Sequence, residues 1–560
     1  MTQKDFYWLT DNSRLFLSRG YLQEGQEPEE RMEEIAKTAE NILGIEGFAD
    51  KFYGYLGKGY YSLSTPVWTN FGIPNRGLPI SCFGSNISDS MSNILYTAGE
   101  VGMMSKYGGG TSGYFGHLRP RGADITNNGQ SSGAVHAMKL FEQITDTVSQ
   151  GNNRRGRFAP YLPIDHPDIM EFLDIGTEGN EIQDVNHGVT VSNDWLIEMI
   201  GGDKDKRAVW AKVLQRRVEM GYPYIFYTDT VNDNKPEWFK DLPITHSNLC
   251  SEIMLPNNED WSFVCNLSSM NAVHFDEWKD TDAVETMIYF LDAVMSEFIT
   301  KLENLRDSED LEKRDSFKFM ERAYNFAVDN RALGLGVLGW HSLLQSQMIP
   351  FESVEASLLN EDLFKTIREK SEKASEELAK KFGEPKVTKG FGRRNSTLMA
   401  VAPTTSSAFI LGQTSQSIEP LWSNNYVKDV AKAKVTVQNE YLREVLKKYD
   451  KDNRETWIDI LNHDGSVQHL EYLTDNEREV FKTFSELNQY EIINQASIRQ
   501  KYIDQGQSLN IMVNPTTSAK ELNDLHLYAW EQGIKTLYYQ HGTNAAQKLF
   551  QSNVCLACEA

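Results

Sequence analysis

The chain is poor in cysteine, in positive charge and in long apolar runs, and each shortage removes a class of protein. Five cysteines in 560 residues (Cys82, Cys250, Cys265, Cys555 and Cys558) are too few and too scattered for the disulfide framework of a secreted scaffold. They fit a reducing, cytoplasmic setting, where each thiol needs its own explanation. Lys and Arg number 56 against 79 Asp and Glu, a formal net charge of −23. Such a balance repels nucleic acid polymers and anionic membranes. No apolar run reaches the roughly 20 residues of a membrane span, and Met1-Thr2-Gln3-Lys4-Asp5-Phe6 opens no apolar signal core. A small anionic ligand stays open, because backbone N–H groups and a few local arginines hold one readily.

What is present is ample material for a core: 40% hydrophobic and 11% aromatic residues. The length exceeds what one simple core supports, so two or three domains or one large α/β barrel with additions are expected. Residues up to 63 read as helical, with Ile35, Ala39, Ile42 and Leu43 at helical spacing and Gly44 as a stop. Residues 60–66 turn toward strand, ending at Thr65-Pro66, and a helix is expected over 92–104. From 160 to 350 helical patterns alternate with short apolar runs, as in a parallel α/β sheet. Residues 359–383 read as a solvated amphipathic helix, 396–403 as a buried strand and 421–500 as a charge-rich, locally helical insertion. The stretch 508–540 reads as strand, helix and strand, a βαβ unit. Gly334-Leu335-Gly336-Val337-Leu338-Gly339 matches GxGxxG but lacks a preceding strand, so it reads as close helix packing and not as a dinucleotide site.

Chemistry concentrates at Ser247-Asn248-Leu249-Cys250-Ser251-Glu252, where an amide, a thiol and a carboxylate recur at every second position. In extended chain that spacing sends the three side chains one way, whereas an isolated free Cys is ordinarily a small inert hydrophobe. After the triple glycine Gly108-Gly109-Gly110, the stretches His117 to Gly122 and Gln150 to Arg157 set glycines beside arginines, which suits a phosphate or nucleotide as well as it suits plain surface loops. Thr404-Thr405-Ser406-Ser407 places four hydroxyls between a strand end and a helix start, more than capping requires. Cys555-Leu556-Ala557-Cys558 stands at a chain end, where it staples little. One Cys-x-x-Cys is half a zinc site, and the other cysteines lack zinc-ribbon spacing. A redox reading fits better: a terminal dithiol reaches inward, regenerates two internal thiols and leaves one Cys for direct chemistry.

Asn248 to Glu252, the terminal Cys-Leu-Ala-Cys, the adjacent Tyr538-Tyr539 and Pro403-Thr404-Thr405-Ser406-Ser407 together resemble the catalytic subunit of class I ribonucleotide reductase, over nearly the whole chain from about residue 60. The resemblance implies a ten-stranded α/β barrel, made of two five-stranded parallel half-sheets around a central finger loop, after an N-terminal helical region. On this reading 1–63 is that region, 64–543 the barrel and 544–560 a flexible redox tail. Cys250 would become a thiyl radical that abstracts the ribose 3′ hydrogen. Glu252 would act as general base and Asn248 would orient the ribose. Cys82 and Cys265 would supply the reducing equivalents and end as a disulfide, which Cys555 and Cys558 would reduce. Tyr538 and Tyr539 would relay the radical; read as strand neighbours they face opposite ways, so one burial face does not explain both phenols.

The resemblance also implies substrate phosphates on Thr404, Thr405, Ser406 and Ser407 after Pro403, with Thr65, Ser81 and Gly110 nearby. Asp89, Arg119, Arg154 and Arg155 would serve a second nucleotide that sets specificity. It implies no metal and no tightly bound cofactor in this chain, the radical coming from the metal centre of a small partner subunit, with dNTP and ATP as effectors. Ribonucleoside diphosphates as substrates, thioredoxin or glutaredoxin as reductant, and a homodimer complete the expectation. The stretch ahead of the barrel is too short for the family's ATP-cone, so an on/off activity site is not expected. A cobalamin-dependent reductase, a glycyl-radical enzyme and a nucleotide- or zinc-binding scaffold are the alternatives; the last leaves Glu252 and the tyrosine pair without a purpose.

Overall fold

The computed structural model describes residues 5–150, 154–430 and 433–542. The chain starts in helices, as its periodicity predicts. Pro28–Leu43 has proline in its first turn and a capping box between Glu27 and Glu30, and it stops where Gly44 turns left-handed at φ 60°. Its apolar stripe buries Met32, Ile35, Ala36, Ala39 and Leu43. The buried Arg31 on the same helix donates to the carbonyls of Trp68 (2.9 Å) and Val67 (3.1 Å) at the C-terminal end of helix Thr65–Asn70, the Val67 carbonyl also accepting the Phe71 N–H.

The centre is a curled sheet. Strands β1 (Tyr61–Leu63), β2 (Cys82–Asn86), β3 (Gly110–Tyr114), β4 (Arg157–Pro163), β5 (Gly188–Val191), β6 (Tyr224–Tyr227), β7 (Phe263–Asn271) and β8 (Leu333–Leu338) are followed late in the chain by β9 (Ile511–Val513), β10 (Thr536–Leu537) and β11 (Gln540–Gly542). β2 to β6 run side by side and parallel, forming one half. β7 is the seam: Phe263 to Cys265 pair antiparallel with β2, while Asn266 to Asn271 pair parallel with β8. From β8 the wall continues through parallel bridges Leu335 to Met399 and Val401 to Gln507, then through the parallel pair β9 and β11. β10 closes antiparallel onto β6, and the N–H of Gln540 reaches the carbonyl of Gly221 at 2.8 Å. Two parallel halves of five segments each thus meet antiparallel at both seams, the barrel that the resemblance implied.

Several local expectations change. The 60–66 stretch is strand only to Leu63, because Thr65-Pro66 opens a helix, the position proline favours. Residues 396–403 hold their place in the wall through isolated bridges and not a full ladder. The GxGxxG stretch is β8 itself, so the close packing there is strand packing: a Cβ on Gly334 would lie 2.5 Å from Leu267 and 3.1 Å from the Cys265 sulfur. The βαβ unit keeps its helix, Ala519–Glu531, but its second parallel strand is β11 and lies beyond the expected stretch, which holds only the short antiparallel β10. In 421–500, a hairpin of Asn425–Val430 with Ala433–Gln438 leads to short helices with a core of their own around Leu446, Trp457, Ile460 and Val467. Helix Gln489–Gln500 instead puts Ile492, Ile493 and Ala496 into the main core. Among the described residues no helix is long and apolar enough to cross a membrane.

Candidate active site

The loop between β6 and β7 carries Asn248, Cys250 and Glu252 inside the barrel. It is not extended. The Asn248 side-chain oxygen accepts the N–H groups of Glu252 (3.1 Å) and Ile253 (3.2 Å), Ser251 is left-handed at φ 64°, and the Ser247 hydroxyl donates to the Ile253 carbonyl at 2.8 Å. An Asn-capped turn, not strand alternation, sets the three side chains. A loop in a barrel interior needs a partner for every backbone group, and the two halves of the wall supply them. The Tyr161 hydroxyl on β4 donates to the Asn248 carbonyl at 2.8 Å. From the other half, Ser508 donates to the Cys250 carbonyl (2.6 Å), Thr536 to the Ser251 carbonyl (2.8 Å) and the Gly506 N–H to the Glu252 carbonyl (2.8 Å), while Gln505 accepts the Met254 N–H at 3.0 Å.

Below the loop, Cys82 on β2 and Cys265 on β7 are direct register partners across the antiparallel seam. Residues so paired have Cα atoms about 4.5–5.5 Å apart, inside the range a disulfide bridges. All three cysteines are free thiols. The Asn248 amide lies 3.8 Å from the Cys82 sulfur, and the Gln505 amide donates to the Cys265 sulfur at 3.3 Å. Burial pushes the Cys265 thiol well above the usual range, with Cys82 and Glu252 adding to it. Burial also pushes the Glu252 carboxyl up to about 7, against hydrogen bonds from its own backbone, Asn248 and Ser508 that favour the charged form. A carboxyl poised near neutrality beside thiols can take up and return a proton.

Cys250 and Leu249 pack on a tyrosine cluster. Tyr538 and Tyr539 are both buried with ring centroids 4.3 Å apart, and Tyr224 stands 4.8 and 5.2 Å from them. The expectation of opposite faces fails here, because the pair falls between β10 and β11 where strand alternation is interrupted. Asn186 donates to the Tyr539 hydroxyl at 2.6 Å.

The hydroxyl stretch follows the wall segment that bridges to Gln507. Pro403 precedes Thr404, which caps helix Thr405–Ile410 and whose hydroxyl accepts the Ser417 N–H at 2.7 Å. Thr405 donates to Gln416 at 2.9 Å, the buried Ser406 hydroxyl has no partner among the described residues, and Ser407 is half-buried. The Thr65 hydroxyl meets that of Tyr21 at 3.2 Å. The Ser81 carbonyl accepts the Gly110 N–H at 2.7 Å, and Gly110 lies against Leu249 beside Cys82. Asp89 and Arg119 stand on the surface as an ion pair, Nε to carboxylate 2.7 Å. Arg154–Arg155 forms a short strand against Ser149–Gln150. Cys555 and Cys558 lie outside the described residues.

A model of the "Ribonucleotide reductase, barrel domain" family matches residues 80–206, 198–391 and 386–540. The chain belongs to the ribonucleotide reductase family. Its structure resembles the Actinobacillus ureae class Id ribonucleotide reductase alpha subunit, with a TM-score of 0.90 and 54% identity over 98% of this chain and 99% of that one. It is 31% identical to the ribonucleoside-diphosphate reductase large subunit of Invertebrate iridescent virus 3, covering 97% of each. It is 28% identical to the ribonucleoside-diphosphate reductase large chain 2 of Saccharomyces cerevisiae, over 93% of this chain and 68% of that one. This reductase therefore has the large-subunit barrel of the class I enzymes, as its cysteine positions implied.

The sequence reading missed Gln505, Ser508, Thr536 and Tyr161, which hold the loop, and Tyr224, which completes the tyrosine cluster. The run Gln505-Gly506-Gln507-Ser508 ahead of a buried strand was a signal, since amides and hydroxyls entering a core need partners there. Tyr222-Pro223-Tyr224-Ile225-Phe226-Tyr227 was another, because so many phenols on one buried strand exceed packing needs.

Proposed function

We propose that this reductase is the catalytic subunit that converts ribonucleoside diphosphates to 2′-deoxyribonucleoside diphosphates by thiyl-radical chemistry. The observation that carries the reading is the cross-strand pair of Cys82 and Cys265 beneath a loop presenting Cys250, Asn248 and the near-neutral Glu252. Cys250, as a thiyl, takes the 3′ hydrogen; Glu252 accepts the 3′-hydroxyl proton while Asn248 orients the ribose. The 2′-hydroxyl leaves as water, Cys82 and Cys265 give up two electrons and two protons and become a disulfide, and Cys250 returns its hydrogen to C3′. The net balance is ribonucleotide plus dithiol to deoxyribonucleotide, disulfide and water. A barrel interior keeps water and stray reductants from the radical.

Tyr538 and Tyr539 relay the radical from a small partner subunit, whose metal centre supplies it. Thr404, Thr405, Ser406 and Ser407 after Pro403, with Thr65, Ser81 and Gly110, hold the diphosphate. Cys555 and Cys558 reduce the spent disulfide and are themselves reduced by thioredoxin or glutaredoxin. Asp89, Arg119, Arg154 and Arg155 take a dNTP or ATP specificity effector, the Asp89–Arg119 pair opening to do so, in a cytoplasmic homodimer.

The test is reduction of CDP by the purified chain with dithiothreitol, an effector nucleotide and the small subunit, beside Cys250→Ser. Deoxycytidine diphosphate from the wild type alone, and only with the partner, is expected. Turnover with adenosylcobalamin and no partner would transfer the chain to the cobalamin-dependent class. No product under either condition would overturn the reading.

A further inference from the structure

The sulfurs of Cys82 and Cys265 stand in unlike surroundings, although the two residues are register partners. Cys82 is half-buried beneath the loop, with the Asn248 amide 3.8 Å from its sulfur. Cys265 is 1% exposed and faces the wall: a Cβ on Gly334 would come within 3.1 Å of its sulfur, and the Gln505 amide donates to it at 3.3 Å. The orientation of that amide is fixed. Its oxygen accepts the Met254 N–H at 3.0 Å, so its nitrogen is the atom that faces the sulfur. Lys535 donates to the carbonyls of Asp504 and Gln505 at 2.9 and 2.8 Å, which pins the backbone beneath. The amide nitrogen also reaches the Leu333 carbonyl (2.9 Å) and the Thr397 hydroxyl (3.0 Å). Its hydrogens are fewer than these acceptors, and a thiolate is the strongest acceptor of the set.

We infer that the Cys82–Cys265 disulfide opens in one direction: a reducing thiolate attacks Cys82, and Cys265 departs as a thiolate that the Gln505 amide stabilises. The inference deepens the regeneration step proposed above and rests on that reading. Exchange needs access to the attacked sulfur and stabilisation of the departing one. Cys82 offers the access, and Gln505 supplies the stabilisation. Burial raises the Cys265 thiol and by itself makes it a slow leaving group, and the bond from Gln505 acts against that. In the step, the attacking sulfur bonds to Cys82 and the disulfide breaks with its electron pair on Cys265. Cys265 then takes up the proton that the attacking thiol lost. A second thiol of the reductant attacks the reductant's own sulfur in the mixed disulfide, and Cys82 is released as a thiol.

The experiment uses the full chain with Cys250→Ser, Cys555→Ser and Cys558→Ser, so that no third thiol reshuffles the bond. Diamide forms the disulfide without turnover, so the result does not depend on whether the chain reduces nucleotides. After a brief exposure to 2-mercaptoethanol, the freed thiol is trapped with N-ethylmaleimide and the peptides are mapped. The mercaptoethanol adduct is expected on Cys82 and the maleimide on Cys265 in nearly every cleaved molecule. An adduct chiefly on Cys265, or shared evenly, overturns the direction. Gln505→Met keeps the length of the side chain and loses the donor; the initial rate of cleavage should fall about 10–100-fold, the worth of a charge-assisted hydrogen bond. The sign separates this from loosened packing, which would expose the disulfide and speed its cleavage. Cleavage in Gln505→Met as fast as with glutamine, or faster, overturns the part given to Gln505.

Discussion

Replacing Glu252 by glutamine should cost the reductase its turnover and yet stabilise the fold, by an amount that grows with pH. Burial raises the carboxyl from 4.5 to about 7, so the folded chain holds this proton more tightly than the unfolded one. The sign follows from linkage. Below 4.5 both states are protonated and the site costs nothing; as pH climbs toward 7 the unfolded state ionises first and gains, and above 7 the whole penalty is present. A shift of this size corresponds to about 3 kcal/mol at pH 8 and about 1 kcal/mol at pH 5. The glutamine side chain carries no charge and escapes the penalty, while its carbonyl still accepts from Ser508, which stands 3.1 Å from the carboxylate.

For 560 residues unfolding as one unit, the entropy at the midpoint is about 1.2 kcal/mol per degree, so E252Q should melt about 2–3 °C higher than the wild type at pH 8 and less than about 1 °C higher at pH 5. Thermal melts of both proteins across that range read the difference directly. A packing cost of the new amide moves every pH alike, so the slope is the signature and not the offset. Turnover with CDP should fall by about 10²–10⁴, the usual worth of a general base. A melting difference that is flat from pH 5 to 8 would refute the buried, near-neutral carboxyl.

Ser508→Ala removes the one hydroxyl donor shared between the Cys250 carbonyl and Glu252; it should cost about 1–3 kcal/mol in denaturant unfolding and move the acidic limb of the kcat/KM profile to higher pH, because a bond favouring the carboxylate is gone. Tyr539→Phe deletes the hydroxyl that Asn186 donates to; stability should drop by only about 1 kcal/mol while turnover with the small subunit falls below detection, and retained turnover would remove Tyr539 from the relay. With Cys555→Ser and Cys558→Ser, substrate and partner but no external reductant, the chain should lose two thiols, and peptide mapping should find Cys82 joined to Cys265, register partners across the seam; thiols lost elsewhere first would overturn that pairing.

The parts of this fold that repeat were legible. The stripe of Pro28–Leu43 and the first strand and the helix of the 508–540 stretch follow from periodicity and stop signals alone, and the chemistry was legible because Asn248, Cys250 and Glu252 sit in one stretch with four further cysteines to be explained. What periodicity could not give is the shape taken where alternation breaks. The period-2 spacing of the loop comes from an Asn-capped turn, and Tyr538 and Tyr539 share one cluster because the chain between β10 and β11 is not strand. Gln505 and Ser508 act on residues 240 and 258 positions away in sequence, and no local pattern carries a contact of that separation.

The irregular side of the barrel follows from the same demand. An interior loop must find partners for its backbone groups, and a wall strand that supplies them has fewer left for its neighbours. Gly506 shows the exchange at one residue: its carbonyl accepts from Val401 in the wall at 3.0 Å, while its N–H turns inward to the Glu252 carbonyl at 2.8 Å. Only glycine allows so close an approach, since a Cβ there would stand 2.5 Å from the Met254 methyl and 3.2 Å from that same carbonyl. The first half-sheet gives the loop one tyrosine hydroxyl and keeps continuous ladders from β2 to β6; the second gives Gln505, Gly506, Ser508 and Thr536, and is joined at Leu335, Met399, Val401 and Gln507 by single bridges. The barrel is regular where it only encloses the site and irregular where it holds it.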